Sequence, residues 1–475
     1  MIQTILITLR YGLVARNVLR TGIFRRLKEA GHRIVLVCPA AHEQYLINEV
    51  ASPQVILEPY PKIRSGKTEQ YFTTVANGLL FNHFGVTKTL TIKWLNLIAQ
   101  RKYISFLIKG LAGLFCLHRS KHLRLLAERL DRERFHHPEV AEIFDKYRPD
   151  LMVTTNLFGS ECHFLREAWR RGIRSVCLVK SWDNLTSKTR IRVHPDYLVV
   201  WGELMKEEAV KLHFYPEERI FVSGAPNFDF FKDRNFSIRP RNEFLKSIGA
   251  ESDVKLVVYS PANKLTFSDD ENIRRIHRIL QNTDVGVKCH LHIRKYPKTF
   301  QEFSHLLDIP GITAEDSGLV VPSWDDRVDQ TYEQMMHLAE LMYHADVLIQ
   351  IGSTIAIDAA CFDTPVIGYS LDVNDSRVHW SHYARRVFDF THNRYLVELG
   401  GVRLVHTEEE LVNALKEYLH HPERDREGRR RIVERICGRF DGLSGERIAT
   451  FLLHLLDGKK PEEEQKEVQT LLDLE

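Results

Sequence analysis

The chain has 475 residues, of which 44% are hydrophobic and 27% charged. That is globular composition on a length that suits two large domains or three smaller ones, and it excludes a disordered, collagenous or small disulfide-stapled protein. Lys and Arg number 66 against 63 Asp and Glu, a net +3 too balanced for a nucleic-acid partner over the whole surface.

The seven cysteines are scattered and form no Cys-x-x-Cys pair, which argues for a reducing compartment and against a zinc ribbon or dithiol site. Arg10 and Arg16 interrupt the apolar start Met1–Val18, so no secretory signal is expected. The stretch Ile104–His118 carries Lys109 at its middle and is shorter than the ~20 apolar residues of a membrane span. The expected location is cytoplasmic.

In chain order, Thr4–Leu9 reads as a buried strand, Val14–Ala30 has helical spacing closed by Gly31, and Arg33–Cys38 is the next strand. After an insertion come the strand Leu151–Thr155, the helix Ser160–Arg171, and strands at Ser175–Val179, Tyr197–Val200 and Arg219–Ser223. A second block repeats the alternation. Its strands are Lys255–Tyr259, Lys288–Ile293, Asp346–Ile351 and Pro365–Tyr369, with helices at Asp270–Gln281, Thr331–His344 and Ile355–Cys361. Apolar runs separated by helices predict parallel sheets covered on both faces. The expected domains are 1–228 and 229–442, joined by a linker near Phe228–Asn242, with a helix at 443–457 returning to the first domain and an acidic tail at 458–475.

The insertion, about 61–134, breaks this pattern. From Gln70 to Ala127 there is no Asp or Glu, while eight basic residues alternate with large apolar and aromatic ones. An interfacial helix on anionic lipid has this composition, and so does a plain helical insertion with a solvated basic face.

The densest motif is Ile351-Gly352-Ser353-Thr354-Ile355-Ala356-Ile357-Asp358, followed by Pro365-Val366-Ile367. A strand ending in Gly and two hydroxyl residues before a helix sets backbone N–H groups around one spot, either as a phosphate cradle or as an ordinary helix cap. Asp358 lies one turn further on, within reach of ribose hydroxyls. Arg294 and Lys295 end another strand of the same block, where ligands bind in open α/β sheets, and would neutralise a diphosphate. Ser260, at the end of the strand Lys255–Tyr259, belongs to the same edge, followed by Ala262 and Asn263. His290 and His292 share a strand face and read as core or rim histidines more readily than as metal ligands. Val321-Pro322-Ser323-Trp324 is expected to border the nucleobase.

These residues resemble the donor half of glycosyltransferases of the two-Rossmann GT-B architecture. Related patterns occur in UDP-N-acetylglucosamine 2-epimerases and in the CDP-glycerol transferases of teichoic acid synthesis. The resemblance implies two Rossmann-like domains facing across a cleft, with Gly352, Ser353, Thr354, Asp358, Arg294, Lys295 and Ser260 on the donor. Relatives usually carry Glu where this chain has Asp358, one methylene shorter. The loop Lys180-Ser181-Trp182-Asp183-Asn184-Leu185-Thr186-Ser187-Lys188 stands where the CDP-glycerol transferases have Trp-His-Gly-Thr-Pro-Leu-Lys-Lys. Their proposed His base falls on Asp183, which would deprotonate an acceptor hydroxyl or, alternatively, cap a turn and pair with Lys180 or Lys188. Arg10, Tyr11, Gly12, Trp182, Asn184 and Lys188 are the expected acceptor-side residues.

The resulting expectation is a glycosyltransferase of surface polysaccharide synthesis. It uses a nucleotide-sugar as co-substrate, a glycan or lipid-linked saccharide as acceptor, and no cofactor or metal. Partners would include an anionic membrane surface through residues 70–127, but no nucleic acid. The competing expectations are a CDP-polyol phosphotransferase of teichoic-acid type and a non-catalytic nucleotide-sugar-binding subunit.

Overall fold

The computed structural model describes residues 2–232, 237–261, 269–282, 285–297, 302–371 and 383–458. Ala262, Asn263, part of the expected linker (233–236) and the tail from 459 onward lie outside the described residues. The chain divides into two units. One comprises Met1–Asp229, Val321–Asp329 and Ile436–Glu475, and the other Phe230–Val320 and Gln330–Arg435.

The main sheet of the first unit is built, among the described residues, from seven strands: β1 (Thr4–Thr8), β2 (Arg33–Cys38), β3 (Val55–Pro59), β4 (Leu151–Thr154), β5 (Arg174–Leu178), β6 (Tyr197–Val200) and β7 (Ile220–Val222). They form one sheet in the order β3-β2-β1-β4-β5-β6-β7, and every pairing is parallel. In β1 and β4 every residue is buried, as expected of parallel strands covered on both faces. The strand β3, not expected from the sequence, is a half-buried edge strand ending in a proline. The predicted helix Val14–Ala30 is two helices, Gly12–Leu19 and Gly22–Glu29. Thr21 breaks it by adopting an extended backbone and accepting the N–H of Ile23.

The second unit holds β8 (Lys255–Ser260), β9 (Cys289–Arg294), β10 (Ile312–Glu315), β11 (Val347–Gln350), β12 (Val366–Tyr369) and β13 (Arg403–Val405). Their order is β10-β9-β8-β11-β12-β13, again parallel throughout. Both units are therefore doubly wound α/β folds of the Rossmann kind.

The insertion is helical: Lys67–Leu80, Lys88–Ala99, Tyr103–Leu114 and Lys121–Arg134. No helix among the described residues is long and apolar enough to cross a membrane.

The segment Val321–Asp329 corrects an expectation. Trp324 is not placed to stack on a base: it is 1% exposed in the core of the first unit, among Ile5, Leu36 and Phe24. Its indole Nε1 donates to Tyr45 Oη at 2.7 Å. Asp329, fully buried, accepts from Arg20 at 2.7 Å and from Tyr45 at 2.8 Å. Helix Ser444–Leu456 adds Ile448, Phe451 and Leu452 to the same core. Trp324→Ala should cost about 3–5 kcal/mol, because it leaves a large void and removes the indole hydrogen bond to Tyr45. The urea midpoint of the full chain would read this as a fall without change of slope.

Candidate functional site

In each sheet the strand order reverses once, and the loops beyond the carboxyl ends of the two strands at the reversal diverge to leave a crevice. In the second unit the reversal lies between β8 and β11. Their register sets Ser260 opposite Gln350, so Ser260 and the turn Gly352–Thr354 share one edge. Gly352 has φ +60, and a Cβ there would lie 2.2 Å from Val387 Cγ1 and 2.6 Å from Asn393 Nδ2. Conformation and space both demand glycine. The buried Gln350 turns its Oε1 back to accept the N–H of Ser353 at 2.7 Å, which fixes the turn. Gly352 and Ser353 are half-buried and Thr354 is exposed, so the turn is open to a ligand, while Asp358 is buried behind it on helix Ile355–Cys361. Gln350 escaped the sequence reading, although an amide closing the apolar run Val347–Ile349 is a legible signal.

The cations at the end of β9 have partners. Arg294 is buried and bonded to the carboxylate of Glu315, which β10 places directly opposite in register. Lys295 pairs with the exposed Asp316 at 3.1 Å. Burial alone would push Glu315 up, but the Arg294 charge and hydrogen bonds from His292 and His337 outweigh it and hold the carboxyl well below its usual range. His290 and His292 both meet Thr313 Oγ1 at 2.8 Å, and burial with the neighbouring His292 pushes His290 down to about 4. The expected diphosphate clamp is thus, in this structure, an internal ion pair flanked by core histidines.

In the first unit the reversal lies between β1 and β4. Beyond β1, Arg10 stacks on Tyr60 at 5.2 Å, donates to Ser160 Oγ at 2.5 Å and pairs with Asp325. The N–H of Gly12 donates to Asp326 Oδ1 at 2.9 Å. Lys180, at the end of β5, lies over the Tyr11 ring at 3.9 Å. Beyond β4 sits a residue the sequence reading missed. Glu161 is fully buried and its Oε2 accepts from the hydroxyls of Thr8 and Thr154 and the N–H groups of Thr155 and Asn156. Burial raises its pKa, and the hydroxyl bonds and the charge of Lys180 offset this only in part. An acid following the Gly159-Ser160 turn after β4 was the available signal.

Asp183 opens the short helix Asn184–Ser187. Its Oδ1 accepts from Ser181 Oγ at 2.6 Å and Asn184 Nδ2 at 3.0 Å, and its Oδ2 from Ser187 Oγ at 2.8 Å. Trp182 and Asn184, expected to meet an acceptor, are 3% exposed and support the loop from within, whereas Lys188 is exposed. The insertion braces this loop: Thr87 Oγ1 donates to the carbonyl of Thr186 at 2.9 Å and Lys93 to that of Ser187. Lost hydration and the Lys188 charge push the Lys93 amine down to about 8.

Glu69, His137 and His163 gather in the first unit as metal ligands would. Arg166 and Arg192 already bond the same carboxylate at 2.6 and 2.9 Å, so a cation there would meet two guanidinium groups. Burial, aided by Arg166, pushes His163 down to about 2. The cluster is an ion network.

The sequence profile of the CDP-glycerol:poly(glycerophosphate) glycerophosphotransferase family matches residues 180–454. No curated protein sequence matches the chain. Among solved structures, it is similar to the UDP-GlcNAc 2-epimerase of Methanocaldococcus jannaschii in complex with UDP-GlcNAc and UDP, with TM-score 0.51 and 15% identity over 96% of this chain and 100% of that one. The UDP-GlcNAc 2-epimerase of Neisseria meningitidis bound to UDP-GlcNAc gives 0.52 and 10% over 95% and 100%. A glycosyltransferase from Rickettsia africae ESF-5 gives 0.50 and 11% over 95% and 99%. These likenesses establish a GT-B-like fold.

The Arg294–Glu315 pair yields a pH prediction. Glu315 titrates below its usual value of 4.5, so its contribution is complete above that value and is lost as pH falls below it. Glu315→Gln should cost about 3–5 kcal/mol near neutrality by stranding the buried Arg294. Urea unfolding at a series of pH values should show the gap to the parent closing on acidification.

Proposed function

The chain belongs to the CDP-glycerol:poly(glycerophosphate) glycerophosphotransferase family, and from that premise we propose that it transfers a phosphopolyol from a CDP-activated donor to an acceptor hydroxyl. One observation carries the reading: the family match spans both the Lys180–Lys188 loop and the Gly352–Asp358 turn, and that turn lies open at the strand-order reversal of the second unit. The hydroxyls of Ser353 and Thr354 take the donor diphosphate, with Ser260 beside them and Asp358 toward the ribose. Arg294 stays with Glu315. Lys295, whose partner Asp316 is exposed, exchanges that partner for phosphate.

The acceptor oxygen attacks the phosphorus that bears the polyol. A P–O bond forms, the P–O bond to CMP breaks, CMP departs with the electron pair, and the acceptor proton passes to Asp183. Hydrogen bonds from Ser181, Asn184 and Ser187 orient that carboxylate for the transfer.

Transfer of a sugar from a nucleotide-sugar would use the same turn and is the other outcome of the experiment. Product analysis with CDP-glycerol against UDP- and GDP-sugars should show CMP release with CDP-glycerol and an acceptor. Asp183→Asn should lower kcat about 10²–10⁴-fold with donor affinity kept. Gly352→Ala should abolish stabilisation by the nucleotide. Turnover with a nucleotide-sugar alone would replace the phosphopolyol by a glycosyl group, and full turnover by Asp183→Asn would remove the base.

The acceptor we propose is lipid-linked, met at an anionic membrane surface. On helix Tyr103–Leu114 the side chains of Ile104, Leu107, Ile108, Leu111 and Leu114 are all exposed, Ile104 at 77% and Leu114 at 71%. Exposed Arg101, Lys102, Arg119 and Lys121 border this ridge without an acid in the stretch. A merely solvated basic face would not carry such a ridge, and an interfacial helix does. Co-flotation with anionic vesicles should drop about tenfold or more when Arg101 and Lys102 are changed to Glu. Flotation unaffected by that change would remove the membrane from the reading.

A further inference from the structure

A cavity of about 600 Å³ lies in the first unit at the amino edge of its sheet, where Ser175, Asp196 and Arg219 mark the starts of β5, β6 and β7. This is the opposite edge from Arg10 and Asp183, so nothing here rests on the reading of the transferase site. Its apolar lining includes Leu125, Trp169, Ile173 and Phe214. Its charged lining includes Arg124, Arg132, Arg174 and Arg190 with the carboxylates of Glu128 and Asp196.

The charges do not balance. Glu128 is engaged by His194 at 2.7 Å and by Arg132 at 3.8 Å, and Asp196 by the N–H and hydroxyl of Ser175 at 2.8 and 2.9 Å. Arg190 is 2% exposed and reaches Asp131 only at 3.4 Å. That same carboxylate serves Arg166 at 2.6 Å and Arg192 at 3.0 Å. Arg124 is 8% exposed, donates to the carbonyl of Leu212 and lies over the rings of Phe81 and Phe214 at 5.0 and 5.1 Å. Among the described residues, Nε and Nη2 of Arg124 and Nε of Arg190 lack a hydrogen-bond partner. Burial, reinforced by the Arg190 charge, pushes the Arg124 guanidinium down to about 10. Two neighbouring buried guanidinium groups, of which only Arg190 reaches a carboxylate that Arg166 and Arg192 already occupy, are costly unless an anion joins them.

We propose that this cavity binds a phosphate group, free or esterified to an apolar chain, with the phosphate between Arg124 and Arg190 and any chain along Leu125, Trp169 and Ile173. A phosphate dianion neutralises two guanidinium groups at once and offers the several acceptor oxygens that their planar donors need.

The test uses the full chain and three probes: inorganic phosphate, octyl phosphate and the neutral octyl glucoside. Thermal shift should show saturable stabilisation by octyl phosphate, and binding at least about tenfold weaker in Arg124→Met/Arg190→Met, whose response to CDP stays as in the parent. Without ligand that variant should melt no lower than the parent, because it loses uncompensated charge. Equal binding of inorganic phosphate identifies free phosphate as the source, and binding of octyl phosphate alone identifies an ester on an apolar chain. If the double variant fails to fold, emission titrations decide: the change with octyl phosphate should vanish in Trp169→Phe. Three results overturn the proposal: no response of the parent to either phosphate, an equal response to octyl glucoside, or an emission change that survives Trp169→Phe.

Discussion

Parallel strands buried on both faces leave polar chemistry almost nowhere to sit except beyond their carboxyl ends, and the order of the strands decides where those ends open. In the first unit the chain lays down β1 to β3 in one direction and β4 to β7 in the other. The second unit repeats this with β8 to β10 and β11 to β13. The loops after β1 and β4, and after β8 and β11, therefore diverge. Into those openings fall Arg10, Tyr11 and Glu161 in one unit and Ser260, Gln350 and the Gly352–Thr354 turn in the other. The buried groups among them serve the exposed ones: Gln350 holds the N–H of Ser353, and Glu161 holds the Thr154–Asn156 turn.

What could be read from the sequence follows from the same burial. Strands covered on both faces are apolar runs, so Thr4–Thr8, Arg33–Cys38 and Val347–Gln350 are legible, as is a turn of Gly, Ser and Thr after one of them. The strands of the two large sheets that were not expected, Val55–Pro59, Ile312–Glu315 and Arg403–Val405, are all sheet edges with half-buried, mixed side chains. The partner of Arg294 was hidden because Glu315 lies 21 residues away and only the register of β9 with β10 sets the two side by side. The place of Trp324 was hidden for a deeper reason. A local pattern shows that a tryptophan wants burial, but not which core receives it, and here the chain leaves the second unit for nine residues to enter the first.

The acid-free insertion makes the same point about charge. As composition, its basic residues form a single class. In the structure Arg101, Lys102, Arg119 and Lys121 face outward, while Arg124 is sealed between Phe81 and Phe214 and Lys93 is spent on the carbonyl of Ser187. Only the outward group bears on the proposed membrane contact. The inward group splits again, between bracing the Asp183 loop and lining a cavity at the other edge of the sheet.

That bracing bears on the chemistry of Asp183. A carboxylate is intrinsically a weaker base than the imidazole that the resemblance to CDP-glycerol transferases implies at this position, by about 2.6 pKa units. Phosphoryl transfer through a loose transition state asks little of its base, since the leaving group has largely departed before the nucleophile must lose its proton, and positioning dominates the rate. A weak base suffices if it is held still. Ser181, Asn184 and Ser187 hold Asp183 through both oxygens, and Thr87 and Lys93 hold the carbonyls of the helix that supplies Ser187. The insertion that carries the exposed apolar ridge is thus also the scaffold of the proposed base, and a surface that engaged the one would steady the other.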